Sequence, residues 1–157
     1  MLFDILGASK KNDRLYLFKD GDQCSDVTGG WAFTKPVSPS AGYTYSFDKN
    51  GCLYCGGQNG GNGIFSTVNS INVAEYDHLL VEFYYDGNAD DGEASFFVKL
   101  NGDNKIKINI ATIAKNKVCL AGTADMVDGK VSLAVATSGY STTHMNIKRV
   151  WLEKVGA

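Results

Sequence analysis

Proline is scarce in this chain, with 2 in 157 residues, and charge of one sign does not accumulate. Fifteen Lys and Arg face 17 Asp and Glu, a formal net charge of −2. Without a basic surplus there is little to neutralise a phosphate backbone, so nucleic acid is not the expected partner. The lysines between Lys105 and Lys117 alternate with Ile106, Ile108 and Ile110, which is the pattern of a strand's wet face. No apolar run approaches the roughly 18 residues that a membrane span requires. The start, MLFDILGASKK, is apolar but broken by Asp4, and its basic residues follow the apolar part instead of leading it. That order is wrong for a secretory signal peptide, so no export address is expected.

Catalytic signatures are also missing. There is no H-E-x-x-H, G-x-S-x-G or Walker-type stretch. GGQNGGNG (56–63) has the glycines of a dinucleotide loop, but a strand-like segment follows where a helix should hold the pyrophosphate. It reads as a loop. The two histidines, His78 and His144, fall at strand starts. The neighbouring acids Asp90 and Asp91, and Glu75 and Asp77, fall in turns, whereas a glycosidase needs two carboxylates converging across a cleft. The expectation is a protein that is not an enzyme.

Cysteine is sparse: Cys24, Cys52, Cys55 and Cys119. CLYC is a C-x-x-C, but a zinc knuckle needs a second pair or two closely spaced histidines, and a thioredoxin-like motif should open a helix. On a strand, residues three apart point to opposite faces, so Cys52 and Cys55 diverge. Reduced, small hydrophobes are the first reading, a disulfide the second, a metal or redox role the third.

What is abundant is glycine, at 18, with 8 Tyr and 8 Phe. Glycine between aromatic and β-branched segments is the composition of an all-β fold with many turns. Strand patterns occur at RLYLF (14–18), WAFTK (31–35), YTYSF (43–47), CLYC (52–55), IFSTV (64–68), INV (71–73), HLLVEFYY (78–85), EASFFVKL (93–100), KIKINIATI (105–113), KVCLA (117–121), KVSLAVAT (130–137) and THMNIKRVWLEKV (143–155). Lys49-Asn50-Gly51 and Asn101-Gly102-Asp103 are hairpin turns of the Asn-Gly kind. Leu79, Val81, Phe83 and Tyr85 share one face, as do Phe96, Val98 and Leu100. The last strand changes phase: Met145 and Ile147 lie on one parity, Val150 and Leu152 on the other. A bulge near Lys148-Arg149 would return both pairs to the core. A helical turn or two fits only residues 2–8 or the stretch Val73 to Tyr76. About ten short strands predict an all-β, two-sheet antiparallel sandwich of the jelly-roll kind. One domain over 13–157 is expected, with residues 1–12 as an arm outside it.

Three stretches, LYLFKDGDQCSDVTGGW, NVAEYDHLLVEFYY and NIKRVWLEKV, together resemble β-sandwich modules of tail-associated proteins from phages and prophages of gut bacteria. More distantly, the layout is similar to jelly-roll carbohydrate-binding modules, in which a Tyr-Asp/Lys-x-Leu-x-Val segment opens a core strand. The resemblance is specific only at the two ends of the chain. It implies a jelly-roll sandwich in a virion, made in the bacterial host cytoplasm, and it transfers no catalytic or ligand residues.

Three sets of residues are candidate sites. A structural calcium would use the alternating oxygens of Asp86, Asn88, Asp90 and Glu93, with Asp20, Asp22 and Asp26 as a second cluster. Plain turns are the preferred reading of both, because Asp and Asn bond their own backbone there, and no other cofactor is expected. A sugar face would draw on Trp31, Tyr43, Tyr45, Tyr54, Gln58, Asn59, Tyr84 and Tyr140, although aromatics in strands are mostly core. Leu2, Phe3, Ile5 and Leu6 would need a partner surface, which suggests a homo-oligomer or a docked subunit. The expected function is a non-catalytic virion module, of the tail, acting in assembly or host-surface attachment. Its partners would be other virion proteins or a bacterial surface glycan. The alternative is a free-standing carbohydrate-binding module.

Overall fold

The computed structural model describes residues 13–34, 43–47, 53–58, 62–84, 95–109, 116–122, 127–136 and 142–155, with side chains over 13–34, 64–83, 97–107, 127–134 and 146–155. Eleven strands and one short helix occur among them: β1 (Asp13–Lys19), α1 (Ser25–Thr28), β2 (Trp31–Thr34), β3 (Tyr43–Phe47), β4 (Leu53–Gln58), β5 (Asn62–Thr67), β6 (His78–Tyr84), β7 (Ser95–Leu100), β8 (Asp103–Asn109), β9 (Asn116–Gly122), β10 (Val131–Ala136) and β11 (Thr142–Lys154). They form two antiparallel sheets. Sheet 1 runs β3-β4-β11-β6-β9, with β1 also on β11; sheet 2 runs β2-β5-β10-β7-β8. The all-β sandwich read from the alternation is the fold observed.

The core lies between the sheets, on the faces that the period-two pattern marks. Leu79, Val81 and Phe83 of β6 are at most 1% exposed, and so are Val98 and Leu100 of β7. Phe18, Phe65, Phe83 and Leu133 are among the largest fully buried side chains. Burial of each stabilises the fold by about 1.5–3 kcal/mol. β11 shows why the phase of the last segment changes. Its first half, Thr142 to Ile147, pairs with β4, and its second half, Arg149 to Lys154, pairs with β1. On its other edge it pairs with β6, and the register slips between Ile147 and Arg149. That bulge leaves Ile147, Val150 and Leu152 all at 0% exposure.

Turns follow the residues that permit them. Asn101-Gly102 joins β7 to β8 with φ of 52° and 87°, as a two-residue turn with both central residues left-handed demands. Asp20-Gly21 makes a similar turn at the end of β1, φ 48° and 93°, closed by reciprocal backbone bonds between Lys19 and Asp22. The stretch Val73 to Tyr76 holds one turn, the Tyr76 N–H donating to the Val73 carbonyl at 3.1 Å, and no helix.

Two expectations are corrected here. Residues 56–63 do not read as one loop: Gly56, Gly57 and Gln58 complete β4, and Asn62 and Gly63 begin β5. The pairing partners of the two glycines are Thr44 and Tyr43 on one side and His144 and Thr143 on the other. Ladder bonds belong to the backbone, so a glycine flanked on both sides by β-forming residues stays in the sheet. Helix α1 was also missed. It is a single turn entered through left-handed Cys24 and left through left-handed Gly29.

Candidate functional site

The segment Gln23 to Trp31 seals one edge of the core. The Thr28 hydroxyl is fully buried, donates to the Gln23 carbonyl at 2.7 Å and accepts the Gly30 N–H at 3.1 Å. Gln23 Oε1 accepts the Trp31 N–H at 3.0 Å. The indole of Trp31 is 8% exposed, stacks on Phe65 and donates from Nε1 to the Leu17 carbonyl at 2.9 Å. Trp31 is therefore a core residue. At 8% exposure, stacked on Phe65 and with its one donor used, it presents little surface to a sugar.

The acidic turn beside it is held by its own backbone and by Arg149. Asp22 Oδ1 accepts the Cys24 N–H at 2.8 Å, and Asp20 lies 3.4 Å from the Arg149 guanidinium. Among the described residues no group of three His, Cys, Asp or Glu is placed to hold a metal. Asp86, Asn88, Asp90 and Glu93 lie outside the described residues, as do Asn59, Tyr140 and the apolar set Leu2, Phe3, Ile5 and Leu6. Cys24 is a free thiol; burial and then the Asp22 carboxylate push its pKa up.

The register sorts the remaining aromatic candidates into two sets. Tyr43 and Tyr45 share parity with Phe47, which is tied through Leu53 and Ile147 to Phe83. Ile147 and Phe83 are core residues, so the positions of Tyr43 and Tyr45 fall on the core side of sheet 1. Tyr54 and Tyr84 both oppose Asn146 and fall in one row of the other parity. Gln58, also in β4, opposes Thr142 at the far end of the β4–β11 ladder. The structure thus joins Tyr54 and Tyr84 and separates them from Trp31, Tyr43 and Tyr45.

The two outer sheet faces differ in kind. Among the described residues of sheet 1 both arginines are in ion pairs. Arg14 lies 2.6 Å from Glu153, and Arg149 lies 3.4 Å from Asp20 and 3.3 Å from Glu82. Hydrogen bonds to Tyr16 and then to Glu153 hold the Arg14 pKa above its ordinary value. Two described rings on this sheet also have a cation over them. Arg14 sits 5.6 Å over the Trp151 ring and Lys19 sits 4.6 Å over Tyr16. Trp151 itself is only 5% exposed.

Sheet 2 presents a different outer face. Register gives one cross-strand row of Thr34, Ile64, Ala134, Phe97 and Lys107, and beside it a row of Ala32, Ser66, Ser132, Lys99 and Asn104. The central strand, β10, contributes only Ser132 and Ala134 to these rows, 7% and 2% exposed. Small side chains there make a low floor between the half-buried flanks Ile64 and Phe97. The Ser66 and Ser132 hydroxyls bond at 2.8 Å across the floor. Phe97 is half-buried, with Lys99 Nζ and Lys107 Nζ 5.7 and 5.8 Å from its ring centroid. A trough of hydroxyls beside one accessible aromatic ring can stack an apolar sugar face and hydrogen-bond its edge. Phe97 was not among the residues singled out from sequence. The signal was present, because in EASFFVKL the core parity of Phe96, Val98 and Leu100 leaves Phe97 on the opposite face with Lys99.

These features define a class: a two-sheet antiparallel β-sandwich whose described outer faces carry ion-paired arginines on sheet 1 and small, uncharged residues along β10 of sheet 2. No protein-family model matches the chain, and no curated protein matches its sequence. Solved structures share its fold. The xylan-binding module CBM15 is similar with a TM-score of 0.58 at 11% identity, over 92% of this chain and 98% of that one. CBM28, a carbohydrate-binding module specific for non-crystalline cellulose, has a TM-score of 0.56 at 13% identity, over 89% and 94%. The K1 cleaved adhesin domain of Lys-gingipain from Porphyromonas gingivalis W83 has a TM-score of 0.61 at 12% identity, over 92% and 99%. Identities this low establish a common fold and nothing finer.

Proposed function

We propose that this chain is a non-catalytic carbohydrate-binding module that holds a glycan along the outer face of sheet 2. The observation that carries the reading is the partly exposed Phe97 ring beside the Ser132–Ala134 floor. Aromatic rings in strands are usually core. One left on an outer face, next to paired hydroxyls, is a surface that water solvates poorly and a sugar ring solvates well. The trough needs little rearrangement to bind, because its walls are strands and not loops, which limits the entropy lost on association.

The structural neighbours support this alternative among the expectations drawn from sequence, since two of those described above are named as carbohydrate-binding modules. They offer nothing for a phage-tail part, so virion partners and subunit docking are not carried into the proposal. Fold likeness alone does not assign function, and the argument rests on the face.

Affinity electrophoresis through gels containing soluble xylan, mixed-linkage glucan or pectin tests it. The protein should be retarded by at least one polysaccharide, and Phe97→Ala should remove the retardation while leaving the far-UV spectrum and melting temperature near the parent's. Retardation that survives Phe97→Ala would move the site elsewhere.

A further inference from the structure

Resting on the glycan reading of the same face, we infer that the trough of sheet 2 selects polysaccharides carrying anionic substituents, with Lys99 and Lys107 as the residues that read the charge. The protein as a whole is slightly acidic, at a formal −2. Its outer face on sheet 2 is not. The two rows through Phe97 and Lys99 contain two lysines and no carboxylate, and half-buried Lys105 sits at the register slip beside Asn104.

The contrast with sheet 1 decides the argument. There each arginine sits against a carboxylate, at 2.6 to 3.4 Å. On sheet 2 neither Lys99 nor Lys107 is in an ion pair with a described residue, and both ammonium groups approach one aromatic ring instead. At 5.7 and 5.8 Å they lie near the outer limit of about 6 Å at which a ring still attracts a cation. That contact is weak, so an anion brought to either ammonium gains more than the ring gives up. Two cations near one ring, with no carboxylate paired to them among the described residues, repel one another, and an anionic guest relieves this.

A neutral sugar would be a poorer match. Recognition of neutral hydroxyls uses donors and acceptors together, and the chain's carboxylate acceptors are absent from these two rows. Covering an ammonium with a neutral polymer strips its hydration without an ionic partner, which costs affinity. Lysine supplies a point charge on a flexible stem and not a planar fork, so carboxylate and sulfate substituents are equally acceptable. Both ammonium groups lie near the Phe97 ring, so the ring would stack on the sugar ring while the ammonium groups reach its substituents.

Isothermal titration of the whole chain with four polymers tests the inference: polygalacturonate, its fully methyl-esterified form, chondroitin sulfate and neutral xylan. Polygalacturonate or chondroitin sulfate should bind, and the methyl ester and xylan should bind at least tenfold more weakly, about the factor that loss of two modest ion pairs produces. Lys99→Met and Lys107→Met should each weaken binding to the acidic polymer by about 1.5- to 5-fold. About 0.5 M NaCl should weaken it further by screening. Lys154→Met, an equal change of net charge on sheet 1, should have no effect. If the neutral and acidic polymers bind alike, with loss on Phe97→Ala and no response to the lysine variants, the charge selection is overturned and the glycan trough stands. If no polymer binds, or binding ignores Phe97→Ala, the trough itself is overturned.

Discussion

Trp31 and Phe65 stack with ring centroids 5.2 Å apart and planes 15° from parallel, which ties β2 to β5 inside the core. The Trp31 Nε1–H also bonds the Leu17 carbonyl of β1, in the opposite sheet. One side chain thus holds both layers. Trp31→Ala should destabilise the protein by about 3–5 kcal/mol, as expected for truncation of a buried aromatic. Chemical denaturation measures this. Affinity for glycan, corrected for the folded fraction, should be unchanged, because Trp31 does not reach the trough.

Gly129 lies under the Asn101 side chain, whose amide donates to the Asp128 carbonyl at 3.1 Å and accepts the Lys130 N–H at 3.2 Å. A Cβ at position 129 would overlap that amide. Gly129→Ala should therefore cost about 1–3 kcal/mol through overpacking. Adding Asn101→Gly to Gly129→Ala should recover part of the loss, since it removes the clashing atoms and keeps the left-handed turn. A double-mutant cycle by thermal unfolding checks this.

Cys24 has its pKa raised, by burial first and by Asp22 second. A raised value means less thiolate at neutral pH, and the thiolate is the nucleophile. Iodoacetamide should label Cys24 more slowly in the folded protein than in urea at the same pH. Asp22→Asn should quicken labelling of the folded form, because it removes the second cause of the shift. Peptide mapping by mass spectrometry separates Cys24 from the other three cysteines.

Tyr54 and Tyr84 flank Asn146 on sheet 1, and they are the two sequence candidates that the register brings into one row. The trough lies on the other sheet. Tyr54→Ala and Tyr84→Ala should leave glycan retardation unchanged in the gels that Phe97→Ala abolishes. A loss in either tyrosine variant, with the melting temperature preserved, would place the site on sheet 1.

The parts of the fold that were legible are those that a two-residue period writes directly. In HLLVEF the odd positions Leu79, Val81 and Phe83 are at most 1% exposed, and of the even ones only Leu80 is buried. The phase change in THMNIKRVWLEKV marked the bulge, because an uninterrupted strand would have turned either Ile147 or Val150 outward. Sheet membership was not legible. β6 and β7 follow one another in sequence with the strongest strand patterns, yet they lie in opposite sheets. Nothing in local alternation says which layer a strand joins, since both layers face the same core.

The candidate site was legible only in part, for a similar reason. Gly-Gly-Trp is compatible with an exposed ring or a buried one, and the Leu17 and Gln23 partners that bury Trp31 come from 14 and 8 residues away. Tyr43 and Tyr45 share parity in YTYSF, but the side of the sheet is fixed only through pairing with β4 and β11. Phe97 was overlooked because its neighbour Phe96 accounted for the core face of β7. An adjacent pair of large aromatics in a strand leaves one of them on the far side. Here the far side is the open one.

The central claim is that the outer face of sheet 2 is where a glycan sits. Titrating isotope-labelled protein with an oligosaccharide of a polymer it retains, and following the backbone amides by NMR, tests it most directly. The account expects the largest shifts at Ile64, Ser66, Phe97, Lys107 and Ser132. Shifts confined to the row of Tyr54, Asn146 and Tyr84, with those of sheet 2 unmoved, would contradict it.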